Sequence, residues 1–256
     1  MTTVLDLYEA TSSYNPLSES TRYGWRHSIK GFEHLLVSEI DKPFVVKHRS
    51  MLLGKGYKQG YVRTRLGYLG SMWQTGNDIE LIDGNPWRGS LKKLKASRKK
   101  YPQKIFNTFF RFHSDPLFMA VWYHGFRISE IANILPEDFV IDADVPYINI
   151  QHNWIRHCKN NSTQRQVPIH PEYFKFIENF KFSTNPKAGD YFSRKLKKHT
   201  GISAHGIRHS FINRMRAEGI EYSIAMALVG HKPDGQTAQY GEVFMEDMQR
   251  AIAKIK

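Results

Sequence analysis

Four short segments carry residue types that could work on a phosphate ester. The first is Gly125-Phe126-Arg127-Ile128-Ser129-Glu130, and the second is Lys159 ahead of a polar turn. The third is His205-Gly206-Ile207-Arg208-His209; the fourth is Leu228-Val229-Gly230-His231, with Tyr240 nine positions later. A phosphodiester attacked by an oxygen nucleophile gathers negative charge on its non-bridging oxygens. Two arginines suit that charge, because a planar guanidinium grips phosphate oxygens in pairs and stays ionised. A lysine or histidine can protonate the leaving oxygen, and a second histidine can take the nucleophile's proton or donate a hydrogen bond. The nucleophile would be a phenol, whose ordinary pKa of about 10 falls beside positive charge. With so many cationic donors around one phosphate, no metal is needed.

Taken singly, each segment has a plainer explanation. Arg127 at a helix start could pair with Glu130 or Glu137 on the surface, and Lys159 could be a solvated charge beside its turn. His205 and His209, four apart on a helix, could be a satisfied pair or half a metal site. The zinc-protease pattern needs a glutamate after the first histidine, where this chain has Gly206, and the single cysteine, Cys158, excludes a multi-cysteine site. Tyr240 could simply pack. Only the set points to one reaction.

The elements that must position this set fall into two groups. In the first part, Trp25, Ile29, Phe32 and Leu36 form the stripe of an amphipathic helix, with Ser20 or Thr21 as its cap. Val62, Leu66, Leu69 and Trp73 form a second stripe, ended near Gly76-Asn77. About four helices are expected here. After the breaker Gly84-Asn85-Pro86, the stretch Arg88 to Arg111 holds nine basic residues and no acid, and it reads as a connection between domains. Beyond it the spacing predicts helices through Leu117, Val121 and Trp122 toward Gly125, and from Ser129 through Ile134 to Pro136. Val145 to Ile169 turns strand-like around Asn160-Asn161-Ser162-Thr163. Helical patterns resume at Phe174 and Ile177, at Ile207 to Met215 with Gly219 as a stop, at Ile224 to Val229, and at Val243 to Ile255. The fold class is mainly α with a small antiparallel β-sheet.

The bulk composition agrees with a polyanionic partner. The 256 residues hold 37 Lys and Arg against 24 acids, a formal charge of +13. The isoelectric point near 9.7 leaves nucleic acid or an anionic membrane surface as first candidates. A hydrophobic content of 41% excludes a disordered basic tail. No apolar run approaches the roughly 18 residues of a membrane span. Asp6 and Glu9 stand where a secretory signal would be basic and apolar, so a soluble intracellular chain is expected.

The ordered set Arg, Lys, His-x-x-Arg, His, Tyr resembles the tyrosine recombinase (phage integrase) family. "GFRISEIANILPEDF" resembles the family's first arginine box, "HGIRHSFINRMRAEGI" its second, and "ALVGHKPDGQTAQY" its terminal stretch. The resemblance implies Arg127 and Arg208 as the arginines, Lys159 as the hairpin lysine, His205 as the box histidine, His231 at the His/Trp position and Tyr240 as nucleophile. It covers essentially all of the second domain, and the helical first part with its "GNPW" ending also resembles the family's core-binding domain. Gly206, Gly241 and a hairpin loop about one residue longer than usual depart from the pattern. Lys159 is nevertheless the only lysine between Lys104 and Lys175.

The expected organisation is a helical core-type DNA-binding domain over 1–88, a basic linker over 89–104 and a mixed α/β catalytic domain over 105–256. Lys92, Lys93, Lys95, Arg98, Lys99 and Lys100 are the candidate DNA contacts of the linker. The implied activity is site-specific cleavage and rejoining of double-stranded DNA through a 3′-phosphotyrosine, with no cofactor, neither ATP nor metal. By resemblance the enzyme works as a tetramer on two sites, with accessory DNA-bending proteins as further partners, in the cytoplasm of a bacterial or archaeal host. A type IB topoisomerase-like nicking and closing enzyme, and a catalytically silent regulator of the same fold, are the alternatives.

Overall fold

The computed structural model describes residues 2–14, 16–95, 109, 111–156, 163–231 and 243–255. The chain divides into two compact units, Met1–Lys99 and Lys100–Lys256, each with its own core.

The described part of the first unit is helical, with α1 (Val4–Tyr14), α2 (Glu19–Ile29), α3 (Lys42–Gly54) and α4 (Gln59–Asp78). α4 is the central element, and Val62, Leu66, Leu69 and Trp73 are all buried, as their spacing predicts. Gly76 does not end α4. It is a packing residue, because a Cβ there would come within 2.5 Å of the Leu7 side chain on α1. The first stripe is shorter than expected: α2 stops at Ile29, and Gly31 at φ +100° turns the chain before Phe32. Phe32 still reaches the core from this loop. Its cap is Ser18, whose hydroxyl accepts from the Thr21 amide at 3.3 Å, not Ser20 or Thr21.

The boundary also differs from the expected linker start. Trp87 and Leu94 are buried in the first unit's core, Arg49 donates to the Ser90 carbonyl, and the Lys95 amide donates to Gln59. Residues 89–95 therefore belong to the first unit. Two apolar anchors and a few backbone bonds hold a stretch whose charge alone suggests an open connection. Lys92, Lys93 and Lys95 project from it, all exposed. Arg98, Lys99 and Lys100 lie outside the described residues.

The second unit sets a small sheet among helices. β1 (Phe139–Val140), β2 (Tyr147–Ile150) and β3 (Arg165–Pro168) are antiparallel in the order β1-β2-β3, with Ile148 opposite Val167. Ile148, Ile150 and Val167 face the core. Residues 151–156, expected to extend the strand, form a turn. The helices are α5 (Pro116–His124), α6 (Ile128–Ile131), α7 (Phe174–Ile177), α8 (Ala188–Thr200), α9 (Ala204–Ala217), α10 (Tyr222–Val229) and α11 (Met245–Ile252). α8 is absent from the sequence reading because only Phe192 and Leu196 mark its apolar face among basic residues. Among the described residues no helix is long and apolar enough to cross a membrane.

Candidate active site

A pair of helix ends delivers Arg127. Asp115 caps α5 at its start, and Gly125 closes it in the left-handed region at φ +65°. A Cβ on Gly125 would also lie 2.2 Å from the Phe211 ring, so glycine is required twice over. The chain turns at Gly125, buries Phe126 and presents Arg127 as the residue capping α6. Glu130 reaches back to accept from the Arg127 amide at 2.8 Å, which is half of a capping box. Its carboxylate also takes the Arg127 Nη1 at 2.6 Å.

Glu130 is no surface partner. Its side chain is 5% exposed, and it meets three guanidiniums: Arg127, Arg165 at 3.1 Å and Arg208 at 3.8 Å. Burial alone would raise its pKa; the charge and hydrogen bonds of Arg165, with those of Arg127, hold it below the usual carboxylate value. One carboxylate among three guanidiniums leaves the cluster with excess positive charge.

Arg208 comes from α9 and is 1% exposed. Its Nη1 donates to the Gly125 carbonyl at 2.7 Å, and its Nη2 to the Val229 carbonyl at 2.5 Å. Both acceptors sit at helix C-termini, where unpaired carbonyls and the helix dipole favour a cation. The pKa of Arg208 is pulled down to about 9, by burial first, with Glu130 opposing; the group stays charged at neutral pH. Arg165 on β3 uses the same helix end, its Nε donating to Leu228 O at 2.9 Å while its guanidinium lies 5.6 Å from the Phe126 ring centre. Gly230 closes α10 at φ +63°, and a Cβ there would strike Arg165 Nη1 at 2.7 Å.

His231 follows that glycine and is exposed. Arg208 Nη2 lies 3.0 Å from its Nε2, and since arginine only donates, Nε2 is the acceptor and the ring proton sits on Nδ1. Burial, then the charges of Arg208, Arg127 and Arg165, depress its pKa, so the ring is neutral near pH 7. His205 lies one turn before Arg208 on α9, exposed, with its Nε2 3.1 Å from His209 Nε2. Burial and the charge of Arg208 lower the pKa of His209. Among the described residues no group of three or more histidine, cysteine or acidic side chains stands together as a metal site.

Lys159 and Tyr240 lie outside the described residues. Their flanks are informative. Arg156 Nη1 donates to Glu130 O at 3.1 Å, and the Thr163 carbonyl accepts from Arg165 at 2.8 Å, so the described residues on either side of 157–162 bond to the arginine cluster. His231 and Val243 bracket the second undescribed segment and line one cavity of about 490 Å³ together with Arg165.

No protein-family profile matches the chain. A probable site-specific recombinase in the afa region of Escherichia coli is 24% identical over 161 residues, 54% of this chain. The chain spans 65% of that relative's length. Among solved structures, the Tn1549 transposon integrase in complex with a circular intermediate DNA superposes with a TM-score of 0.69 at 14% identity, over 100% of both chains. A lambda integrase dimer bound to a COC′ core site gives 0.65 at 15% identity, over 94% of this chain and 98% of that one. This chain has the tyrosine recombinase fold.

Within its tyrosine recombinase fold, the chain brings Arg127 and Arg208 to one carboxylate, bonds His231 to Arg208, and sets His205 one turn along α9. Sequence reasoning missed two members of the cluster, Glu130 as its centre and Arg165 as its second clamp. A signal existed for Glu130, since a glutamate three residues after a cap residue is the capping-box spacing. For Arg165 there was none beyond its place in a strand, because its partners are 35 and 63 positions away.

Proposed function

We propose that the chain is a site-specific DNA recombinase that cleaves and rejoins double-stranded DNA through a 3′-phosphotyrosine. The observation that carries this reading is the cluster of Arg127, Arg165 and Arg208 around Glu130, with His231 bonded to Arg208. Arg127, with its side chain 28% exposed, is the arginine a phosphate can reach directly. Arg208 lends charge from beneath it and holds His231 in the tautomer that can donate from Nδ1. Preorganised donors of this kind stabilise charge where it develops in the transition state.

In the proposed reaction the Tyr240 oxygen attacks the scissile phosphorus, forming an O–P bond as the bond to the 5′-oxygen breaks. His205 accepts the phenolic proton, and Lys159 donates a proton to the departing 5′-oxygen. The bond energy stays in the phosphotyrosine, and attack by the 5′-hydroxyl of a partner strand reverses the step. The bonds of the flanking residues Arg156 and Thr163 to Glu130 and Arg165, and the cavity lined by His231, Val243 and Arg165, support these roles for Lys159 and Tyr240. The solved lambda integrase tetramer bound to a Holliday junction supports a tetramer on two DNA sites. We assign the helical first unit and its exposed Lys92, Lys93 and Lys95 to phosphate contacts along the DNA, with Arg98, Lys99 and Lys100 continuing them.

The test uses a suicide substrate, in which a nick lets the short 5′-product diffuse away and traps the adduct. Wild type should give a slower band on a denaturing gel, and Tyr240→Phe should bind DNA equally and give none. An adduct in the variant would overturn Tyr240 as nucleophile.

A further inference from the structure

Arg165 is a cation of the cluster that no step of the reaction uses. Its side chain is 8% exposed, against 28% for Arg127, which leaves little surface for a phosphate. Its N–H groups are also engaged. Nε donates to Leu228 O at 2.9 Å, and Nη1 donates to Thr163 O at 2.8 Å and to Glu130 Oε1 at 3.3 Å. Nη2 donates to Glu130 Oε2 at 3.1 Å. Stability does not account for this arrangement. Glu130 is already paired with Arg127 at 2.6 Å and lies 3.8 Å from Arg208, so a third guanidinium adds repulsion between cations. A buried ion pair can often be replaced by apolar side chains at no cost. What only an arginine supplies here is a planar fork that reaches two elements at once.

Those two elements carry the exposed groups of the site. Through Glu130 the fork meets the start of α6, where the same carboxylate holds Arg127. Through Leu228 O it meets the last turn of α10. There Arg208, from α9, takes the next carbonyl, Val229 O, at 2.5 Å. Two arginines from different elements thus grip successive carbonyls and stop the end of α10 from turning. Gly230 lies against the fork, since a Cβ there would fall 2.7 Å from Arg165 Nη1. His231 comes next in the chain, with its Nε2 3.0 Å from Arg208 Nη2. Without Arg165 a single grip remains on α10, and His231 loses its fixed place relative to Arg127.

We propose that Arg165 is a positioning residue, which locks the end of α10, and with it His231, in register with the Arg127–Glu130 pair. This rests on reading the chain as a DNA-cleaving enzyme. The test compares full-length wild type with Arg165→Gln and Arg165→Lys; lysine keeps the charge but has no fork to hold Glu130 and Leu228 O together. Both variants should bind a dye-labelled duplex like wild type. Both should form the covalent adduct ~10²-fold more slowly at saturating protein, the scale of a 1 Å misplacement. A wild-type rate, or an affinity that falls as far as the rate, overturns the proposal. Nitrogen NMR of histidine-labelled protein without DNA supplies a second readout, with the His231 signal identified by its loss in His231→Gln. In wild type the ring proton should sit on Nδ1, and the ring should titrate low, through burial and then the charges of Arg208, Arg127 and Arg165. In Arg165→Gln the ring should titrate higher and mix its tautomers. Arg165→Lys should restore the low titration without restoring the rate. Unchanged His231 signals in Arg165→Gln overturn the proposal. The neutral signal of buried His124 reports that the second unit is folded, and its loss in both variants would make Arg165 a structural residue only. If wild type forms no adduct, the enzymatic reading falls, while the NMR comparison still decides whether Arg165 holds His231.

Discussion

Arg127 and Arg208 are the same residue type doing different work, and the difference is burial. Arg127 makes its contact with Glu130 while remaining part-exposed, whereas Arg208 is enclosed and ties two helix ends to His231. Lysine keeps the charge but loses the planar fork. Arg127→Lys should therefore lower the rate of cleavage by ~10²–10³, the typical loss for one transition-state donor, with little change in melting temperature. Arg208→Lys should lower both, because buried carbonyls at Gly125 and Val229 lose charged donors, each bond contributing about 1.5–3 kcal/mol. Single-turnover cleavage and a thermal melt on each variant separate the two roles. Equal melting losses in both would contradict the division of labour.

At the level of elements, the site is assembled from helix ends closed by glycine. Gly125 stops α5 two residues before Arg127, and Gly230 stops α10 one residue before His231. Each also leaves room for a side chain that a Cβ would strike, Phe211 in one case and Arg165 in the other. Gly201, at φ +73°, closes α8 with nothing within 4 Å of a Cβ, and so serves as the control. Gly201→Ala should show only the conformational cost of the left-handed region, about 1–2 kcal/mol. Gly125→Ala should exceed it, with an added loss of cleavage as Arg127 shifts. Denaturant titrations of the two variants measure the comparison, and equal destabilisation would mean that the Phe211 contact yields freely.

For the molecule as a whole, buried neutral histidines in both units set the acid limit of stability. Burial, then the charge of Arg65, depresses His48 in the first unit to about 4. Burial, then His170, depresses His124 in the second unit to about 3. The His124 ring donates from Nδ1 to Ala120 O and accepts the His170 amide at Nε2, and His170 in turn donates from Nε2 to Ile255 O. Protonating His124 would remove the acceptor. Since the folded values lie below the unfolded value of about 6.5, only the unfolded chain takes up these protons between pH 6.5 and about 4. Stability is thus full above pH 6.5 and falls as the pH drops through that window, by on the order of 2 kcal/mol per unit at pH 5. Glu130 has a lowered pKa, so its contribution is lost only below about 4.5 and does not confuse the window. Urea midpoints at pH 7 and pH 5 should differ, and His48→Phe should remove the first unit's share. A midpoint constant from pH 7 to pH 5 would refute this assignment.

Local signals in the sequence settled much of this protein. The stripe Val62, Leu66, Leu69 and Trp73 marked α4, because a helix repeats its buried face at that spacing whatever surrounds it. Gly125 and Gly219 marked helix ends for a similarly local reason, and both lie at positive φ. The ordered arginines, histidines and tyrosine pointed to phosphate chemistry through side-chain type alone. What tertiary structure decided was which charges are buried and together. Glu130 looked like a surface partner of Arg127, and only the arrival of Arg165 and Arg208 from distant elements made it the centre of a buried cluster. Residues 89–95 looked like an open connection by charge, and only a core able to accept Trp87 and Leu94 drew them into the first unit. The helix α8 hid for the same reason, since two apolar residues suffice when a neighbouring surface is there to cover them. Periodicity and chain turns are properties of neighbours in sequence; desolvation and charge pairing belong to neighbours in space.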